Sequence, residues 1–176
     1  REAIFGESPA LTIGLGMALS RDPDYPGSLI EDLRRRSLDD VALRPDVTGY
    51  FDKYATLRDR TLAEINTSAV MDDDGVVSFE SHEVVTNAMR FGAFLLYPQA
   101  RHVAFISSGA KQTNIRVSRN PWAHSWTVNL GAIAISLGGG GHKPVGAVTF
   151  VGEDQLPRAR ATLQAFLTEL HRQENG

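Results

Sequence analysis

From Pro45 to Asn66 the chain repeats Val47, Tyr50, Phe51, Tyr54, Leu57, Thr61 and Ile65 at intervals of three or four residues. That period predicts one long amphipathic helix, with Asp52, Lys53, Arg58, Asp59, Arg60 and Glu64 on its solvated face. Pro45 fits a first helical turn, and Asp46 stands where the helix dipole favours an acid. Upstream, Leu29, Ile30, Leu33 and Leu38 predict a shorter helix over Ser28 to Leu38, with Arg34, Arg35 and Arg36 at a wet helix end. Asp72-Asp73-Asp74-Gly75 then marks a turn, because Asp-Gly is a strong turn signal and three consecutive acids rarely converge on one ion.

Beyond that turn the period shifts. Val76 to Phe79 reads as a short strand and Glu83 to Tyr97 as a helix stopped by Pro98. Val103 to Ser107 and the alternating Gln112 to Ser118 read as a hairpin across Ser107-Ser108-Gly109. Thr127 to Leu137 reads as a helix, Gly146 to Val151 as a strand, and Pro157 to Arg172 as a final helix with Leu163, Phe166, Leu167 and Leu170 inward. The expected fold is α/β, a mixed β-sheet with flanking helices in the order β-α-β-β-α-β-α, preceded by a helical connector. Residues 1–66 form that helical segment and residues 67–176 the sheet domain.

Between the last predicted helix-strand pair stand Gly138-Gly139-Gly140-Gly141-His142, with Lys143, Pro144 and Gly146 behind them. One glycine suffices to end a helix. Four leave the backbone free to turn amide N–H groups toward an anion, and the imidazole and ammonium that follow add two side-chain donors. A flexible connector is the plain alternative, but the run is short, lacks serines and acids, and lies between apolar segments. Charge distribution points the same way. The net charge of −3 argues against bulk binding to duplex nucleic acid. Yet Arg101 to Gly152 holds none of the 21 acidic residues while keeping Arg101, Lys111, Arg116, Arg119 and Lys143. A local positive field of that kind suits a small anionic ligand.

Composition changes this picture little. The chain has 176 residues, 42% apolar and 22% charged, as in an ordinary globular protein. The absence of cysteine removes disulfides and thiolate metal sites and fits a reducing, cytoplasmic setting. No apolar stretch approaches the roughly 20 residues that span a bilayer, so no membrane partner is expected. The chain opens at Arg1-Glu2 without an initiator methionine, which leads us to expect a partial chain.

Ile115-Arg116-Val117-Ser118-Arg119-Asn120, a helix of small apolar residues, and Gly138-Gly139-Gly140-Gly141-His142-Lys143-Pro144-Val145-Gly146-Ala147 together resemble the DHH-associated domain. That domain is the C-terminal half of DHH-superfamily phosphoesterases, among them RecJ-like exonucleases, nanoRNases and cyclic-dinucleotide phosphodiesterases. The resemblance covers roughly Val70 to Leu170. It implies a substrate-binding role on short oligonucleotides or (cyclic) dinucleotides, with His142 donating to a phosphate, Gly139, Gly140 and Gly141 supplying amides, and Arg119 contacting phosphate or base. Arg116 and Lys143 join them as cationic candidates. Asn120-Pro121 after Arg119, in place of the usual serine, and Val145, in place of alanine, depart from the pattern.

The catalytic half of that family carries Asp and His ligands for two Mn²⁺ or Mg²⁺ ions, including a literal Asp-His-His. None occurs here, and His82, His102, His124, His142 and His171 pair with no acid at ligand spacing. No catalytic or metal-binding residue is therefore expected in this chain. Its expected partners are an N-terminal DHH catalytic domain of the same protein, which would hold the metals, and a nucleotide or short oligonucleotide; a homodimer is compatible. A non-catalytic nucleotide- or nucleic-acid-binding regulatory module is the alternative. The related domain of alanyl-tRNA synthetase-like proteins fits less well, since a further glycine-rich stretch and a more basic surface are missing. Trp122 and Trp126 read as packing residues.

Overall fold

The computed structural model describes residues 6–81, 91–123 and 127–174. The chain divides into two compact units, Arg1–Arg60 and Thr61–Gly176, the division falling within a long helix.

The first unit is helical: α1 (Pro9–Leu19), α2 (Tyr25–Leu33), α3 (Leu38–Ala42) and the first part of α4 (Pro45–Ser68). Ile13, Tyr25, Leu29, Val41, Ala42 and Val47 form its core. The helix expected over Ser28 to Leu38 is instead two. Pro26 opens α2 early, and the Ser37 hydroxyl accepts the Asp40 N–H to start α3 afresh. α1 lies within the segment read as helical, although its own sequence is apolar nearly all round and shows no stripe that would mark its bounds. The long helix appears as read, two residues longer at its end.

The second unit is a six-stranded mixed sheet: β1 (Val70–Met71), β2 (Val76–Ser81), β3 (His102–Ser108), β4 (Gln112–Arg119), β5 (Gly140–His142) and β6 (Val145–Val151), in spatial order β1-β2-β3-β4-β6-β5. Only β2 and β3 run parallel, and their connection includes α5 (Gly92–Leu96). The helix expected over Glu83 to Tyr97 is described only in that last turn, residues 82–90 lying outside the described residues. Two short strands, β1 and β5, add to the expected order. The helix expected over Thr127 to Leu137 is α6 (Leu130–Ser136), because the Asn129 side chain caps it by accepting the Ala132 N–H at 3.1 Å. α7 (Leu156–Glu174) closes the chain.

Strand alternation sends one set of side chains to each face. Ala104, Ile106, Ile115, Val117, Val148 and Phe150 pack against Leu130, Ile133 and Ala134 of α6 and Leu163, Phe166 and Leu170 of α7. On the opposite face Val77, Phe79, Val103 and Phe105 meet Ile65, Ala93 and Phe94. That second cluster covers β2 and β3 only. Over β4, β6 and β5 the opposite face carries residues of neither core cluster.

Candidate functional site

The glycine run is built structure, not a loose loop. Gly138 takes the left-handed conformation (φ 81°) one residue past the α6 C-cap. Its N–H donates to the Ile135 carbonyl at 3.1 Å, and the Gly139 N–H donates to the Ala134 carbonyl at 2.8 Å. These two bonds make a Schellman motif. The Gly139 amide is therefore already committed, which corrects the expectation that it could face an anion. Gly140, Gly141 and His142 continue as β5, which turns through Lys143-Pro144 into β6. Lys143 is exposed, and its carbonyl accepts the Leu130 N–H at 3.1 Å, tying the turn to the start of α6.

Register then places the candidate side chains. One row across the sheet runs Arg116, Ala147, Gly140; the next runs Ser118, Val145, His142. All six lie on the face turned away from α6 and α7, with Ser118 buried, His142 exposed and the other four half-buried. With strands about 4.8 Å apart, Arg116 and His142 stand on opposite sides of a shallow trough about 10 Å wide. Its floor is Ala147 and Gly140, the smallest residues available, and a methyl added at Gly140 would touch nothing within 4 Å. His142 is exposed and Arg116 half-buried. Among the described residues Arg116 has no acidic partner, unlike Arg44, Arg58, Arg101, Arg160 and Arg172, each paired with a carboxylate. The Ser118 hydroxyl, in the row of His142, is buried and has no hydrogen-bond partner among the described residues.

Arg119 lies elsewhere. It pairs in register with His102, whose side chain belongs to the α7 side of the sheet. There Arg101, His102, Arg119, Thr127, Val128 and Glu174 line a cavity of about 40 Å³, room for a few waters and not for a nucleotide. The structure thus places Arg116, Gly140 and His142 on one face and sends Gly141 and Arg119 to the other. A strand sends residues 116 and 119 to opposite faces, so Arg119 does not share a face with His142. Expectations about His82, His124 and Trp126 fall outside the described residues. Trp122 packs against Phe91 and Phe94, as a structural residue would.

The small cavity also brings in Glu174, which sequence alone did not single out. Glu174 accepts from Arg101 at 3.1 Å and stands 3.6 Å from His102 Nδ1. Burial raises the Glu174 carboxyl above its ordinary range. Burial, then the neighbouring Arg101, lowers His102 from 6.5 to about 4. A depressed histidine contributes stability present above 6.5 and lost as pH falls toward 4, because only the unfolded chain takes up the proton in that window. We expect that loss to be on the order of 3 kcal/mol. Urea titrations between pH 7 and pH 4 should show it, with His102→Gln flattening the profile; an unchanged slope in that variant would refute the assignment.

No protein-family model and no curated protein matches this chain. Solved structures do. A pGpG-specific phosphodiesterase, PggH, from Vibrio cholerae superposes with a TM-score of 0.67 at 22% identity, over 89% of this chain and 54% of that one. A DHH domain from a member of a family of ribosomal proteins superposes with a TM-score of 0.50 at 15% identity, over 96% of this chain and 50% of that one. This chain spans about half the length of both. Its fold is that of DHH-type proteins, in agreement with its resemblance to the DHH-associated domain.

Proposed function

We propose that this chain is the substrate-holding C-terminal part of a metal-dependent phosphodiesterase of the DHH type, acting on dinucleotides or short oligonucleotides. The observation that carries the reading is Arg116: a half-buried arginine with no described carboxylate beside it, across a trough of Ala147 and Gly140 from the exposed His142. An isolated cation costs desolvation and gains nothing internally, so its natural complement is an external anion. Arg116 offers a planar fork of donors to phosphoryl oxygens, and His142 adds a ring N–H from the other wall. The bare backbone of Gly140, which has nothing within 4 Å of where a Cβ would stand, lets the phosphate approach closely.

The described residues offer no ligand set for the metal ions implied by the resemblance. Among the described residues no three His, Asp or Glu side chains form a group that could hold one. The ions, and the water they activate, belong in this reading to a preceding catalytic domain. What this chain contributes is position: it fixes the phosphate and so removes the entropic cost of bringing it to the reacting groups. The solved phosphodiesterase named for pGpG makes that dinucleotide the first ligand to test. Calorimetric titration of the chain with pGpG should give saturable binding that weakens as salt is raised. Absence of heat at millimolar ligand would remove the proposal.

A further inference from the structure

One row beyond Arg116, on the same face, stand Asn114 and Thr149, paired in register across β4 and β6. We infer that these two residues read the base of a nucleotide whose phosphate lies between Arg116 and His142, an inference that rests on the phosphate site proposed above. Three features carry it. The first is distance: two residues along a strand span about 7 Å, which is the reach from a nucleotide's phosphate toward its base. The second is room. Between the two positions the row is occupied by Ala147 and Gly140, so a sugar can lie flat over them. β5 begins at Gly140, which leaves Thr149 as the exposed rim where a base can enter from the side.

The third feature is the orientation of the amide. Thr149 Oγ1 donates to Asn114 Oδ1 at 2.8 Å. That cross-strand bond takes one lone pair of the carbonyl oxygen and turns Oδ1 toward Thr149, so the amide presents its Nδ2 donors, which meet no acceptor among the described residues. The usual pairing of an asparagine with adenine N6 and N7 needs Oδ1 as acceptor, and Thr149 holds that oxygen; a group left only to donate complements an edge that only accepts. Guanine shows such an edge at N7 and O6, whereas adenine places an N6 donor where guanine has O6. The geometry therefore selects guanine over adenine, and the selection is made by Asn114, with Thr149 as its positioning residue.

Calorimetric titrations with pGpG, pApA and ribose 5-phosphate test this directly. The chain should bind pGpG about tenfold more tightly than pApA, the discrimination expected of one good side-chain pair on a base edge. Asn114→Ala should bring the two dinucleotides to near equality while leaving ribose 5-phosphate unchanged. Asn114→Asp, which puts an acceptor where the donors were, should invert the preference. Thr149→Val should lower the ratio by freeing the amide, again without effect on ribose 5-phosphate. A ratio that persists in Asn114→Ala, with Arg116 still required for every ligand, overturns the base reader and leaves the phosphate site standing. Failure of the wild-type chain to bind any of the three overturns both.

Discussion

Gly131→Val and Gly146→Leu are expected to abolish cooperative folding of the α/β unit, whereas Gly140→Ala leaves its stability unchanged within about 0.5 kcal/mol. A Cβ on Gly131 would lie 2.7 Å from the Gly141 carbonyl carbon and 2.8 Å from the His142 nitrogen. Both are backbone atoms held in β5, so neither can step aside as a side chain would. At Gly146 the added atom would meet the Leu130 carbonyl oxygen, the Phe166 ring at 2.9 Å and Ala134 Cβ at 3.0 Å. Overpacking alone costs about 1–3 kcal/mol per site, and here it also lifts α6 off the sheet. Small domains hold only about 5–15 kcal/mol in total. Urea unfolding followed by circular dichroism distinguishes the three variants. Equal damage at Gly140 would mean that the open trough is not open.

The second large effect is on ligand binding. Arg116→Ala and His142→Ala should each weaken pGpG by one to two orders of magnitude, since a charge-assisted hydrogen bond contributes about 1.5–3 kcal/mol. The double variant should show no heat at all. Neither side chain belongs to a core cluster, so the melting temperature should stay within a few degrees. Arg119→Ala is the informative control. Because Arg119 lines the cavity on the α7 side, its removal should leave affinity within about twofold, the effect of a charge acting at a distance from the other face. A binding loss at Arg119 equal to that at Arg116 would return the site to the strand end and contradict the face assignment.

That control also shows how far the sequence carried. The alternation from Gln112 to Ser118 announced β4, and the run of glycines with His142 announced a special backbone beside it. What neither could tell was which arginine shares a face with the histidine. Similarity of motif favoured Arg119; strand parity and the register through β6 favour Arg116. Asn114 and Thr149 carry only a weak signal in the sequence, as polar residues at even spacing from Arg116, and they become a pair only when β4 and β6 align. Glu174 and His102 are 72 positions apart and meet because α7 folds back across the sheet.

The sequence by itself determined the elements whose cause is local: the long helix α4, the strands β2, β3, β4 and β6, the final helix, and the acid-free positive stretch. Period and turn chemistry act over a few residues, so they are legible without the fold. The tertiary structure alone decided the use of the glycines. Gly131, Gly139, Gly141 and Gly146 are small because backbones pass close to them, while Gly140, in the same strand as Gly141, faces open space. Close approach is a property of two segments brought together, and no single segment records it.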